Sequence, residues 1–128
     1  TLGVLATDHA PHSAARKAGG FRTGANGIVG LETAAAITWQ VLVVEEGMAP
    51  ADWAARWTTG PAALFGEEIA DPAANFTVLD LHAGKTVDPE TFNTRSTNQP
   101  FTGMRFDAWP VLTAFNGRIT WNGQNVLR

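Results

Sequence analysis

Leu2-Gly3-Val4-Leu5-Ala6-Thr7-Asp8-His9-Ala10-Pro11-His12 is the stretch on which the fold turns. An apolar run, Leu2 to Ala6, gives way without transition to polar and ring-bearing residues. Short apolar runs of this kind are strands buried on both faces of a sheet. The polar residues then form the loop at the strand's C-terminal end, which continues to Ser13. The chain opens inside this strand with no polar entry before it, so it is expected to be a piece of something larger.

Residues 14–27 are rich in glycine and small side chains, with Arg16, Lys17 and Arg22, and are expected to be one long loop. Ile28, Leu31, Ala35, Trp39 and Leu42 then recur at three- and four-residue steps, which predicts a helix from Ile28 to Val44. Gly47 fits its stop. Pro50 and Asp52 fit the first turn of a second helix, with Trp53 and Trp57 on one face. Pro61 starts a short third helix closed by Gly66. From Asn75 the period becomes that of strands. Phe76 to Leu81 is one. Val111 to Phe115 and Arg118 to Trp121 flank Asn116-Gly117, a type I′ hairpin signal. Asn122-Gly123 repeats the turn before Val126-Leu127. Residues 82–103 are polar and turn-rich. The order suits one βα unit of a parallel sheet or barrel, followed by a small sandwich or part of one. A complete barrel needs ~250 residues.

The 128 residues allow one domain. Cysteine is absent, which excludes a disulfide scaffold, cysteine–zinc sites and a thiol nucleophile. The net charge is −3 and the seven arginines are scattered, which argues against nucleic acid or an anionic membrane as partner. No apolar run reaches the ~18 residues of a membrane span. A reducing, cytoplasmic compartment is the default expectation.

Asp8, His9 and His12 form the one dense cluster of reactive side chains. In a parallel barrel the loop after a strand carries active-site groups. A carboxylate there ligates a metal or takes a proton. The plainer reading is that Asp8 caps a turn and the histidines are solvated. A catalytic zinc needs about three protein ligands. The only further histidine is His82, read as a surface turn residue, so most ligands of any metal would lie elsewhere. Gly24-Ala25-Asn26-Gly27 leads into a helix N-terminus, where backbone N–H groups hold an anion or a polar ring, or serve as an ordinary helix entry. Glu32 is expected to favour that helix's dipole. The five tryptophans are expected in the core. Ser13 and Ser96 lack a nucleophile-elbow context, and no P-loop or dinucleotide fingerprint is present.

Thr7-Asp8-His9-Ala10-Pro11-His12 followed by Gly27-Ile28-Val29-Gly30-Leu31-Glu32-Thr33 resembles dihydroorotase of the amidohydrolase superfamily. Gly60 to Gly66, Ala74 to Asp80, Ser96 to Gly103 and Thr113 to Arg118 resemble further segments of that family in the same order. Asn26 stands where the family commonly has Pro or Phe, and Asn75 where Asp is common. The resemblance implies a fold of α/β plus β. Residues 1–70 would be the last strand, active-site loop and closing helices of a metal-dependent (β/α)8 barrel. Residues 71–128 would be part of a small β-sandwich. It implies a C-terminal fragment of an enzyme that interconverts N-carbamoyl-L-aspartate and dihydroorotate. Asp8 would be both a zinc ligand and the catalytic proton shuttle. His12 would contact the substrate carboxylate, and Asn26 and Gly27 the substrate ring. The fragment alone is expected to be inactive, and to associate with itself or with the missing N-terminal part. Two alternatives remain open: a hydantoinase- or allantoinase-like cyclic amidase, or a non-catalytic subunit that scaffolds aspartate transcarbamoylase.

Overall fold

A computed structural model describes residues 3–127. The C-terminal half is built on antiparallel strands. β1 (Phe76–Asp80), β4 (Trp109–Phe115) and β5 (Arg118–Trp121) form one sheet in the order β1-β4-β5. β2 (Lys85–Thr86) and β3 (Arg105–Phe106) pair separately. Phe76 lies opposite Ala114 and Asp80 opposite Trp109, with a bulge between Val78 and Leu79. The β4–β5 turn is the one its sequence specifies. Asn116 and Gly117 take φ of 49° and 74°, the paired left-handed conformations of a type I′ turn. Trp121 bridges to Val126 beyond the second Asn-Gly turn.

The helical half is shorter in its elements than expected. The 14–27 segment is not an open loop: it holds two one-turn helices, α1 (Ala14–Lys17) and α2 (Gly20–Thr23). Ser13 caps α1 by accepting the Arg16 N–H. The predicted helix from Ile28 begins only at Ala34. α3 (Ala34–Thr38) runs into a π-helical segment, Trp39–Glu45. Residues 28–31 stay non-helical because other segments claim their backbone groups. The Val29 N–H donates to the Asn98 carbonyl, and the Ile28 carbonyl accepts from Ala10. α4 (Pro50–Trp57) and α5 (Thr59–Phe65) follow, and Gly66 ends α5 at φ 68°.

The strand expected over Leu2 to Ala6 is a correction. Leu2 lies outside the described residues, and Gly3 to Ala6 is irregular. A strand needs a neighbour to complete its ladder. Here the Leu5 N–H goes to the Arg56 carbonyl, and the Gly3 carbonyl and Val4 side chain lie close to Gly60. One parallel bridge, His9 with Ile28, is the sheet-like contact of this region.

The core joins the two halves. Ala36 from α3 is buried with Val87, Phe106 and Trp109, and Ile37, Ala83, Phe92 and Phe101 pack on them. The Trp109 indole N–H donates to the Phe106 carbonyl at 2.7 Å, so its polar edge is satisfied inside. Trp39, Trp53 and Trp57 stack edge-on, with centroids 5.2 and 6.5 Å apart. The tryptophans are buried or half-buried, as are Val4 and Ile28, whereas Leu31 is 61% exposed. Among the described residues no helix is long and apolar enough to cross a membrane.

Candidate active-site loop and the segment that braces it

The loop from Thr7 to His12 lies against residues 26–31, and each contact has a chemical cause. Asp8 adopts φ 44°, a left-handed conformation that Asp tolerates better than most side chains. It is exposed and has no hydrogen-bond partner among the described residues. His9 is half-buried and bonded to the backbone rather than free in solvent. Its Nδ1 accepts the N–H groups of Gly30 and Leu31, both at 3.2 Å. A nitrogen that accepts carries no proton, so the neutral ring holds its hydrogen on Nε2. His9 therefore anchors the second segment to the first. His12 Nε2 donates to the Asn26 carbonyl at 2.9 Å, which leaves Nδ1 for any other contact.

Gly27 has φ 106°, and a Cβ there would collide with the Ala10 side chain. Only glycine lets these two segments approach so closely. The late loop, residues 93–99, then closes over both. Ser96 Oγ donates to the His12 carbonyl at 2.8 Å. Asn98 Nδ2 donates to the Gly27 carbonyl at 2.8 Å. Gln99 Nε2 donates to the Val29 carbonyl and the Thr33 hydroxyl. Glu32 does not serve a helix dipole. Its carboxylate accepts the N–H groups of Asn93 and Thr94 at 3.0 and 2.9 Å. His12, Lys17, Arg95, Ser96, Thr97 and Asn98 share a hollow of about 420 Å3 that no carboxylate lines.

The structure thus brings His12, Asn26 and Gly27 together and places Asp8 in the same loop. Lys17, Ser96, Asn98 and Gln99 are the parts that sequence reasoning missed. His82 is exposed in a turn, its N–H bonded to Asp80. A larger groove, about 810 Å3, is lined by Leu31, Phe92, Trp109 and Trp121 and contains neither Asp8 nor His12. Among the described residues no group of three or more potential ligands is placed to hold a metal. One ring nitrogen of each histidine, His9 Nδ1 and His12 Nε2, is engaged with the backbone, and Asp8 is the one carboxylate of the loop. These residues alone do not fit a complete zinc centre.

The fold is similar first to one stretch of a class of enzymes, the hydantoinases. The solved L-hydantoinase (dihydropyrimidinase) of Arthrobacter aurescens superposes with a TM-score of 0.83 at 27% identity, over 98% of this chain and 30% of that one. The dihydropyrimidinase of Brevibacillus agri gives 0.85 at 21% identity, over 97% of this chain and 29% of that one. The sequence is then closer to one particular kind of protein. The chain is homologous to one stretch of the dihydroorotases: 40% identical to that of Geobacillus thermodenitrificans over 94% of this chain. It is 37% identical to that of Bacillus cytotoxicus over 99%. It spans only 29% and 31% of those two relatives. No family model matches the chain.

Proposed function

We propose that the chain is the C-terminal part of a dihydroorotase, a metal-dependent cyclic amidohydrolase. That enzyme interconverts N-carbamoyl-L-aspartate and dihydroorotate in de novo pyrimidine synthesis, a cytoplasmic task. The observation that carries this reading is the 40% identity to a dihydroorotase along nearly the whole chain. Residues 1–70 are assigned to the end of a (β/α)8 barrel and residues 71–128 to part of a β-sandwich. The exposed apolar side chains, Leu31, Leu64 and Phe65 among them, are assigned to faces covered by the rest of the enzyme or by a second copy.

The residues have distinct tasks in this reading. Hydrolysis of the ring amide adds water to the carbonyl carbon, breaks the C–N bond and places a proton on the departing nitrogen. Asp8, exposed and without a hydrogen-bond partner among the described residues, is the group that takes the water's proton and delivers it to that nitrogen. It is also the one ligand this chain would give to zinc, with the other ligands supplied from outside it. His12 Nδ1 is left for the substrate carboxylate. The Asn26–Gly27 backbone contacts the ring.

The hydantoinase-like superposition favours a second reading, an enzyme acting on hydantoin-type rings. A substrate panel on the complete enzyme separates the two. Dihydroorotate carries an exocyclic carboxylate that unsubstituted hydantoin lacks. A site built for that anion is expected to favour dihydroorotate by at least about a hundredfold in kcat/KM. Preference for hydantoin or allantoin would replace the proposal with the second reading.

A further inference from the structure

Three successive carbonyls, those of Ala25, Asn26 and Gly27, each accept a hydrogen bond from a distant side chain. Lys17 Nζ donates to Ala25 at 2.5 Å and to Gly27 at 3.0 Å, so it straddles Asn26. His12 takes the Asn26 carbonyl from the other loop. Asn98 adds a second bond to Gly27. This stretch has no regular structure to hold it: α2 ends at Thr23 and the next helix starts at Ala34. Two of the four residues from Gly24 to Gly27 are glycines, and such a chain left to itself samples many conformations. An ammonium gripping two carbonyls is a charge-assisted tie, stronger than a neutral donor. With the carbonyls turned to these donors, the N–H groups of Asn26 and Gly27 have no partner among the described residues.

We propose that Lys17 is a positioning residue for the substrate: its ammonium fixes the Ala25–Gly27 backbone so that the unpaired Asn26 and Gly27 N–H groups are presented to the polar edge of a cyclic amide. The inference rests on the assignment of Asn26 and Gly27 to the substrate ring. It goes beyond that assignment in naming what shapes the contact. Lys17 does not touch the reacting atoms and acts only through this backbone.

Two measurements on Lys17→Met and Lys17→Arg test it. The first is amide exchange in the chain itself. The Ala25 N–H, bonded to the Arg16 carbonyl at 2.8 Å, reports on the clamp. The Gly117 N–H, bonded to the Ala74 carbonyl, reports on the distant hairpin and so on folding. Lys17→Met, which removes both Nζ hydrogen bonds, is expected to speed Ala25 exchange at least about tenfold, and to leave Gly117 unchanged. Lys17→Arg, which keeps the charge and two donors, is expected to restore protection. The second is dihydroorotate kinetics of the complete enzyme. Lys17→Met is expected to raise KM about tenfold with kcat little changed, the signature of lost binding geometry, and Lys17→Arg to recover most of it. Unchanged Ala25 exchange in Lys17→Met overturns the clamp. Faster exchange with an unchanged KM overturns the positioning role and leaves Lys17 purely structural. If the unaltered enzyme does not turn over dihydroorotate, the substrate assignment fails, and the exchange data show separately whether the clamp exists.

Discussion

Glu32 holds together two segments some sixty residues apart. One carboxylate oxygen takes the Asn93 N–H and the other the Thr94 N–H, so both lone-pair faces are used by the late loop. Glu32→Gln keeps the shape but turns one acceptor into an NH2 that faces a donor. The expected cost is about 1–3 kcal/mol of stability, read by chemical denaturation, with faster amide exchange at Asn93 and Thr94. An unchanged midpoint would mean that the carboxylate is not what closes the loop. At this scale the sequence is legible only where chemistry is local. Asp8, His9 and His12 stand out because they are adjacent. The tasks of Lys17, Ser96, Asn98 and Gln99 do not, because each bonds to backbone carbonyls, which every residue possesses, and three of the four reach back 70 residues or more. The Glu32 carboxylate was visible, but its partners were backbone groups with no sequence signature.

Among the elements, those set by short-range rules emerge as read. Pro50 opens α4 and Asp52 sits in its first turn. Asn116-Gly117 turns β4 into β5. Gly117 lies at φ 74°, where a Cβ strains the backbone. Gly117→Ala is expected to lower stability by about 1 kcal/mol, a drop of a few degrees in melting temperature. No drop would show that the turn relaxes to another type. Where long-range contacts compete with periodicity, the local reading loses. Ile28 and Leu31 have helical spacing with Ala35, yet Gly30 and Leu31 give their N–H groups to His9 and the helix waits until Ala34. Val41, Val43 and Val44 are β-branched and stiff, and the helix there takes the wider π form. The strand expected at Leu2 to Ala6 followed a rule for sheets, but a strand exists only with a partner.

At the scale of the whole molecule, the chain resembles about three-tenths of a larger enzyme and has the features of such a part. Its core is modest: Ala36, Val87, Phe106 and Trp109 form one buried apolar cluster, and Val29, Trp53, Ala108 and Ala114 are buried as well. Large apolar side chains stand outside, including Phe65 at 74% and Leu64 at 68% exposure. Its reactive loop is braced from three directions, yet the described residues stop short of a metal centre. In the proposed function this chain would form one side of a divided active site and would contribute the proton-handling carboxylate and the substrate contacts. The most direct test is dihydroorotate turnover with zinc present, for the complete enzyme, its Asp8→Asn variant and the chain alone. Asp8→Asn is expected to lower kcat by about a thousandfold, the range of a lost general acid–base group, with the melting temperature unchanged. The chain alone is expected to show no turnover. Near-normal activity in Asp8→Asn, or turnover by the isolated chain, would contradict the account.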